Sequence, residues 1–279
     1  MSIVLTVDEA AYEKRLRFIP PLFRPLLAAA VINPKVWIGL GWSDVVQGYR
    51  RTMLGPLWIT LNLSIFATAM TLVYGALFGV TPAEYSGYVV CGMIAWLWIS
   101  SLLSEVGNTF INYNSYIKSM PVDKAIFIWA MVFKQLVTLA HHLVIYALLV
   151  AIGIVHLSVH TLMIVPSLVI LILFSVPFTA IAAIIFARFR DVPRLIGGSI
   201  IILLMVTPIF WQPEMITGWR RAFIYLNPVH YLVEFVRQPL LGHPLDLQTI
   251  YVVLGMTVAV WLIGAVVYRR YSRYVVFWI

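Results

Sequence analysis

Charge is the scarcest commodity in this sequence. Of 279 residues, 11% are Asp, Glu, Lys or Arg and 62% are hydrophobic, too few polar side chains to cover a soluble domain of this length. The single cysteine, Cys91, excludes an intramolecular disulfide framework and argues against a thiolate metal site. In its apolar surroundings it reads as a small packed hydrophobe. Acidic residues number 11, and none falls near the centre of a long apolar run, so the convergent carboxylates of an acid–base enzyme are missing. A G-x-x-x-x-G-K-S/T phosphate loop and a dinucleotide fingerprint are both absent. The chain shows no means of binding ATP by itself.

What it has is long apolar runs. Residues 57–79, 88–103, 125–155, 161–187, 195–210 and 249–268 form six candidate spans, which predicts an all-α, multi-pass membrane protein rather than a barrel. The third and fourth runs exceed the bilayer's need and the fifth is short. Residues 1–33 read as a cytoplasmic tail. Their start is acidic (Asp8, Glu9, Glu13), and their one apolar run is too brief for a span or a secretory signal. In residues 34–53, Ile38, Trp42, Val45, Tyr49 and Met53 form one stripe, and Asp44, Gln47 and Arg51 another. That pattern predicts an amphipathic helix lying in the interface plane, ended by Gly55-Pro56.

The formal net charge of +8 is better explained by topology than by nucleic-acid binding. With a cytoplasmic N-terminus, fifteen of the 19 Lys and Arg residues lie on inner segments. Arg220, Arg221 and Arg237 lie outside, and Lys134 sits within the third span. The positive-inside rule then places both termini in the cytoplasm and residues 207–241 on the outer side.

Residues 207–241 are too apolar and too regular for a plain loop. Asn227 suits an N-cap, Pro228 the first helical position and Pro239 a stop. Between them Val229, Leu232, Val233, Val236 and Leu240 recur at helical spacing, opposite His230, Glu234, Arg237 and Gln238. About a dozen residues cannot cross a bilayer that needs ~20, so residues 211–241 are expected to form a re-entrant hairpin. An ordinary surface helix is the plainer alternative. Glu234 and Arg237, at i,i+3, are expected to pair, and the polar face to border an exit.

Other groups point nowhere definite. Lys134 has no obvious carboxylate partner. His141 and His142 point about 100° apart and read as packing or hydrogen-bonding groups, while His156 and His160 lack a third ligand for a metal. The inner loop at 104–124, rich in Asn, Ser and Tyr, suits a short polar helix beneath the membrane or a mere connection. Trp58, Phe66, Tyr74, Trp96, Trp98, Phe210 and Trp211 offer ring faces on which sugars can stack, although interfacial belts contain the same residues. Asn62, one turn from Trp58 and Phe66, adds a polar group to that face.

Several stretches, in order, carry a resemblance. They are residues 44–58 (DVVQGYRRTMLGPLW), 91–98 (CGMIAWLW), 107–121 with the following Asp-Lys, 187–193 (ARFRDVP), 207–213 (TPIFWQP) and 226–242 (LNPVHYLVEFVRQPLLG). From about residue 35 onward the chain resembles the membrane subunit of ABC-2-type polysaccharide exporters, the group of O-antigen, capsule and teichoic acid permeases. The RFRDV stretch and the hairpin ending in PLLG lean toward the O-antigen branch. In many relatives a proline follows the first-helix asparagine; here Asn62 is followed by Leu63.

The resemblance implies a transporter subunit rather than an enzyme, multi-pass in the inner membrane and surrounded by its lipids. It implies a homodimer with the path for a lipid-linked polysaccharide between protomers. Two copies of an ABC ATPase subunit would dock beneath and bind ATP and Mg; this chain would hold no cofactor and no nucleic acid. By position, Asn112, Tyr113, Asn114, Tyr116 and Lys118, with Asp44, Arg50 and Arg51, would couple to the ATPase. Trp58, Asn62, Phe66, Tyr74, Trp96 and Trp98 would line the translocation pathway. Phe210, Trp211, Asn227, Pro228, His230, Glu234 and Arg237 would form the outer gate. An exporter of lipids or drugs with the same architecture is the nearest alternative. A membrane-embedded glycan-modifying enzyme is a second, against which the lack of a catalytic cluster speaks.

Overall fold

The computed structural model describes residues 19–279; the reading of residues 1–18 as part of a cytoplasmic tail lies outside them. The described residues are helical, without a strand among them. Helix α1 (Arg24–Ile32) meets α2 (Pro34–Gly48) at a bend of 86°. Pro34 causes it: the residue before a proline avoids helical geometry, and Asn33 sits at φ −124°. Five helices are long and apolar enough to cross a membrane. They are α3 (Leu57–Phe78), α4 (Pro82–Ser104), α5 (Ala125–Ala151), α6 (Ile164–Arg188) and α9 (Leu247–Tyr271). Between α6 and α9 lie α7 (Val192–Val206) and α8 (Pro228–Leu240). At 1.5 Å per residue, the 15 residues of α7 reach only ~22 Å, short of the ~30 Å hydrocarbon core.

Helix α4 is the centre of the bundle. Along its middle it is apolar, and Val89, Cys91, Ile94 and Leu102 are buried on several sides of it. It begins at Pro82, six residues before the apolar run at 88. Thr81 accepts from the Glu84 N–H and the Glu84 carboxylate accepts from the Thr81 N–H, a capping box that fixes the start. Helices α3, α5 and α8 pack around α4, while α6 pairs most closely with α9. The α6–α9 crossing depends on Gly264, where a Cβ would lie 2.7 Å from the Pro177 side chain.

Helix α2 corrects the expected stripe. It ends at Gly48, so Arg51 and Met53 lie beyond it, and Ile38 and Trp42 face outward. The packed face is Trp37, Gly41 and Val45 against α5. A Cβ on Gly41 would come within 2.4 Å of the Ala130 carbonyl oxygen. Close approach of the backbones, which only glycine permits, determines which face turns in. Trp37 then packs between Trp129 and Phe133, tilted against the first and edge-on to the second, with ring centroids 5.8 and 5.7 Å away.

Candidate functional site

The segment joining α7 to α9 is tied down at three points. Asn227 caps α8 by accepting from the Val229 N–H at 3.0 Å, with Pro228 at the first helical position. Its amide also donates to Thr207 Oγ1 at 2.9 Å, in the turn that ends α7. Arg237 Nη1 donates to the Pro208 carbonyl at 2.8 Å, and the Tyr88 hydroxyl of α4 donates to the Trp211 carbonyl at 2.8 Å. Phe210 is buried among the expected pathway residues: its ring stacks on Tyr74 at 5.4 Å and lies 6.0 Å from Phe66.

The polar face of α8 is largely buried. Arg237 is 1% exposed, His230 and Glu234 6% each. Glu234 accepts from Arg237, as the i,i+3 spacing predicted, and from Gln238 Nε2 at 2.7 Å. The guanidinium lies 4.2 Å from the Tyr88 ring centroid, against a stretch of α4 opened by Gly92. On the polar side of α8, α4 thus supplies Arg237 with an aromatic ring. Burial lowers the pKa of His230, which favours its neutral form. Burial alone would also lower that of Arg237; Glu234 and Tyr88 together outweigh it and hold the guanidinium above its ordinary value. His230, Glu234 and Arg237 border a cavity of about 660 Å³ between the hairpin and the start of α9.

A second cavity, of about 470 Å³, runs beside α3 and α4. It brings together Asn62, Phe66 and Trp96 from the expected pathway set. Ser100, Ser104, Thr138 and His142 also line it, residues that sequence reasoning left out. The serines recur at i,i+4 on α4, a polar stripe that could have been found by the same periodicity used for α8. Trp58 is not on its wall, and Trp98 belongs elsewhere: its indole donates to Ser175 Oγ at 3.1 Å in the α4–α6 core. Glu105 also lines this cavity, and it is the carboxylate for Lys134 that the sequence did not reveal, accepting from Nζ at 3.0 Å. Both are part-exposed, so the pair adds little to stability. His141 and His142 diverge as expected: His141 Nδ1 meets the Val137 carbonyl, whereas His142 faces the cavity.

The connection from α4 to α5 folds into two short helices, Thr109–Asn112 and Asn114–Ser119. Asn112 and Tyr116 face outward, Tyr116 at 47% exposure. Tyr113, expected among the contacts to a partner, is buried. Its ring stacks on Phe127 at 4.7 Å and its hydroxyl donates to the Asp44 carboxylate. Asp44 and Tyr113 therefore join α2 to this connection. Asn114 is half-buried, and Lys118 donates to the main-chain oxygen of Ile279 at 2.6 Å. Arg50 and Arg51 are exposed just past α2; Arg51 adopts φ 67° as the chain turns.

Comparison with known proteins adds family to geometry. The model of the family described as ABC-2 type transporter matches residues 36–241, from within α2 to just past α8. Two curated relatives, each an O-antigen export system permease protein RfbA of Klebsiella pneumoniae, are 22% and 21% identical to the chain. Both alignments run over 232 residues, covering 82% of this chain and 88% of the relative.

Proposed function

The chain belongs to the ABC-2 type transporter family, and on that premise we propose that it is the permease subunit of an ATP-driven exporter of a surface polysaccharide such as O-antigen. ATP would be hydrolysed with Mg by a separate ABC ATPase subunit, since the sequence has no nucleotide loop. The observation that carries the substrate is the match to two O-antigen permeases over 82% of the chain, across the spans and the hairpin alike. The aromatic and serine-lined cavity supports it. Aromatic faces with scattered hydroxyls hold a sugar chain without a deep well, so that it can slide.

The charge distribution supports an orientation with both termini cytoplasmic in the inner membrane and residues 211–241 as an outer re-entrant gate. Two copies of the chain would enclose the path for a lipid-linked glycan, each docked on one ATPase subunit through Tyr116, Asn112, Arg50 and Arg51. In this reading the ATPase pair closes on ATP and pushes on the Thr109–Ser119 connection. The Tyr113–Asp44 bond passes the push to α2, and α4 carries it to the hairpin through Tyr88 and Gly92.

The test is restoration of export in cells lacking this chain. Supplying it with its partner ATPase should return the glycan to the surface, and a partner unable to hydrolyse ATP should leave lipid-linked polymer inside. Normal surface glycan in the deletion strain, or glycan turnover by the purified chain without an ATPase, would refute the assignment.

A further inference from the structure

The cavity of about 470 Å³ beside α3 and α4 lies in the size range of small-molecule pockets, and one side chain on its wall is left without a partner. His142 lines it from α5 and is 6% exposed. Neither ring nitrogen has a hydrogen-bond partner among the described residues, and neither is sealed from open space. Buried polar atoms are nearly always paired, and ionisable groups within spans face a cavity or a partner. An unpaired imidazole that open space still reaches marks a place for a ligand atom.

The wall around His142 is one-sided in its hydrogen bonding. Ser100 Oγ donates to the Leu97 carbonyl at 3.2 Å, and Ser101 Oγ to the Trp98 carbonyl at 2.8 Å. Ser104 Oγ donates to the Ser100 carbonyl at 2.8 Å, and Thr138 Oγ1 to the Lys134 carbonyl at 3.1 Å. Each hydroxyl has committed its one proton to its own helix and keeps only lone pairs for the cavity. Glu105 adds a carboxylate to the same wall, whereas its partner Lys134 is not among the lining residues.

A wall of acceptors selects a ligand rich in donors, and a carboxylate repels anions. Sugar hydroxyls are such donors. Phosphates and uronic acids would set oxygen lone pairs against lone pairs, and a negative charge against Glu105 in a medium of low dielectric. Asn62 and one imidazole nitrogen supply the few donors that sugar oxygens need. The exposed ring of Phe66 gives the C–H face of a sugar a surface to lie on.

We propose that this cavity is a subsite for an uncharged sugar unit, held by His142, Asn62 and the serines of α4, with Glu105 excluding acidic sugars. The subsite rests on the export reading for its use and adds a charge preference to it: neutral units pass, and uronates or phosphodiesters are disfavoured.

The experiment is a saturation-transfer NMR titration of the full permease–ATPase complex in phosphatidylcholine nanodiscs. The probes are matched pairs: methyl glycosides of glucose, galactose and mannose against those of glucuronate, galacturonate and mannuronate. At least one neutral glycoside should bind, and its uronate should bind about tenfold more weakly or not at all. His142→Phe keeps a ring but removes both nitrogens and should weaken neutral binding about tenfold. His142→Gln, which keeps a donor and an acceptor, should retain most of it. Ser104→Ala, a small change at a half-buried position, tests the acceptor wall without disturbing the fold and should also weaken binding. Glu105→Gln removes the repelling charge and should narrow the preference for the neutral partner. Absence of neutral-glycoside binding, uronate binding of equal strength, wild-type binding in both His142→Phe and Ser104→Ala, or a preference unchanged in Glu105→Gln would overturn the subsite. Polysaccharide export, followed in parallel, separates the two readings. Selective glycoside binding without polysaccharide export removes the export reading and leaves the subsite; export without glycoside binding removes the subsite alone.

Discussion

Replacing Arg237 by methionine would remove a guanidinium that is 1% exposed, together with its contacts to Glu234, the Pro208 carbonyl and the Tyr88 ring. Methionine keeps an unbranched apolar stem, so the packing part of the loss is small and the polar part dominates. Glu234, 6% exposed, would keep only Gln238 as a donor. Removing one member of a buried ion pair costs about 3–5 kcal/mol, mostly through the charge left behind. Glu234→Leu should cost a similar amount for the mirrored reason. The double variant strands neither charge and should be no worse than the worse single one. The cycle should therefore show a coupling of about 2 kcal/mol or more. Thermal unfolding of the detergent-purified chain, followed by tryptophan fluorescence, measures it. At about 2–4 °C per kcal/mol, each single variant should lose roughly 6 °C or more. Additivity within about 0.5 kcal/mol, or single losses near zero, would mean that the pair is incidental to the hairpin.

Four further outcomes follow from the packing. Gly264→Leu should cost about 1–3 kcal/mol or abolish folding, because its side chain must displace Pro177 at the α6–α9 crossing; yield and melting temperature report it. Tyr113→Phe removes a buried bond to a carboxylate, worth about 1.5–3 kcal/mol. It should lower the glycan exported per ATP hydrolysed while Phe127 stacking keeps the helix in place. His230 has its folded pKa lowered by burial from 6.5. The unfolded chain thus takes up the proton first, and melting temperature should fall as pH drops below about 6.5; His230→Gln should flatten that slope. Gly92→Leu would meet Arg237 Nη1, 3.4 Å from the site of a Cβ. It should disturb the hairpin while leaving the α3–α4 packing intact, read as loss of export with near-normal insertion.

Span positions and caps were legible because their causes are local. The apolar runs of α3, α5 and α9, and the Asn227-Pro228 start of α8, depend on residues within one or two turns. Even the early start of α4 was written in the sequence, as the Thr81-Pro82-Ala83-Glu84 capping signature, although an apolar run read by hydropathy alone begins later. What lay beyond reach was pairing between distant segments. Lys134 and Glu105 sit 29 positions apart, Tyr113 and Asp44 69. Nothing in either neighbourhood names its partner. Trp98 illustrates the same limit: a tryptophan in a span looks alike whether it lines a path or donates to Ser175 in the core.

The hairpin shows how periodicity misleads about environment while being right about geometry. A polar stripe is conventionally read as facing water, and for His230, Glu234 and Arg237 that inference fails. The stripe borders a cavity, and at Arg237 it packs on α4, where Tyr88 offers a ring and Gly92 offers room. The same contact gives the hairpin its mechanical meaning. Helix α4 is 23 residues long, about 35 Å at 1.5 Å per residue, and is packed on most sides along its length. A close-packed helix of that kind moves as a body, because its neighbours leave no slack for local bending. One end touches Arg237 and Trp211; the other continues through Glu105 into the Thr109–Ser119 connection that Tyr113 binds to α2. The buried charge on α8 thus packs against a helix whose far end leads through Glu105 into the connection that carries the exposed Tyr116. A surface-facing arginine would have carried no such linkage.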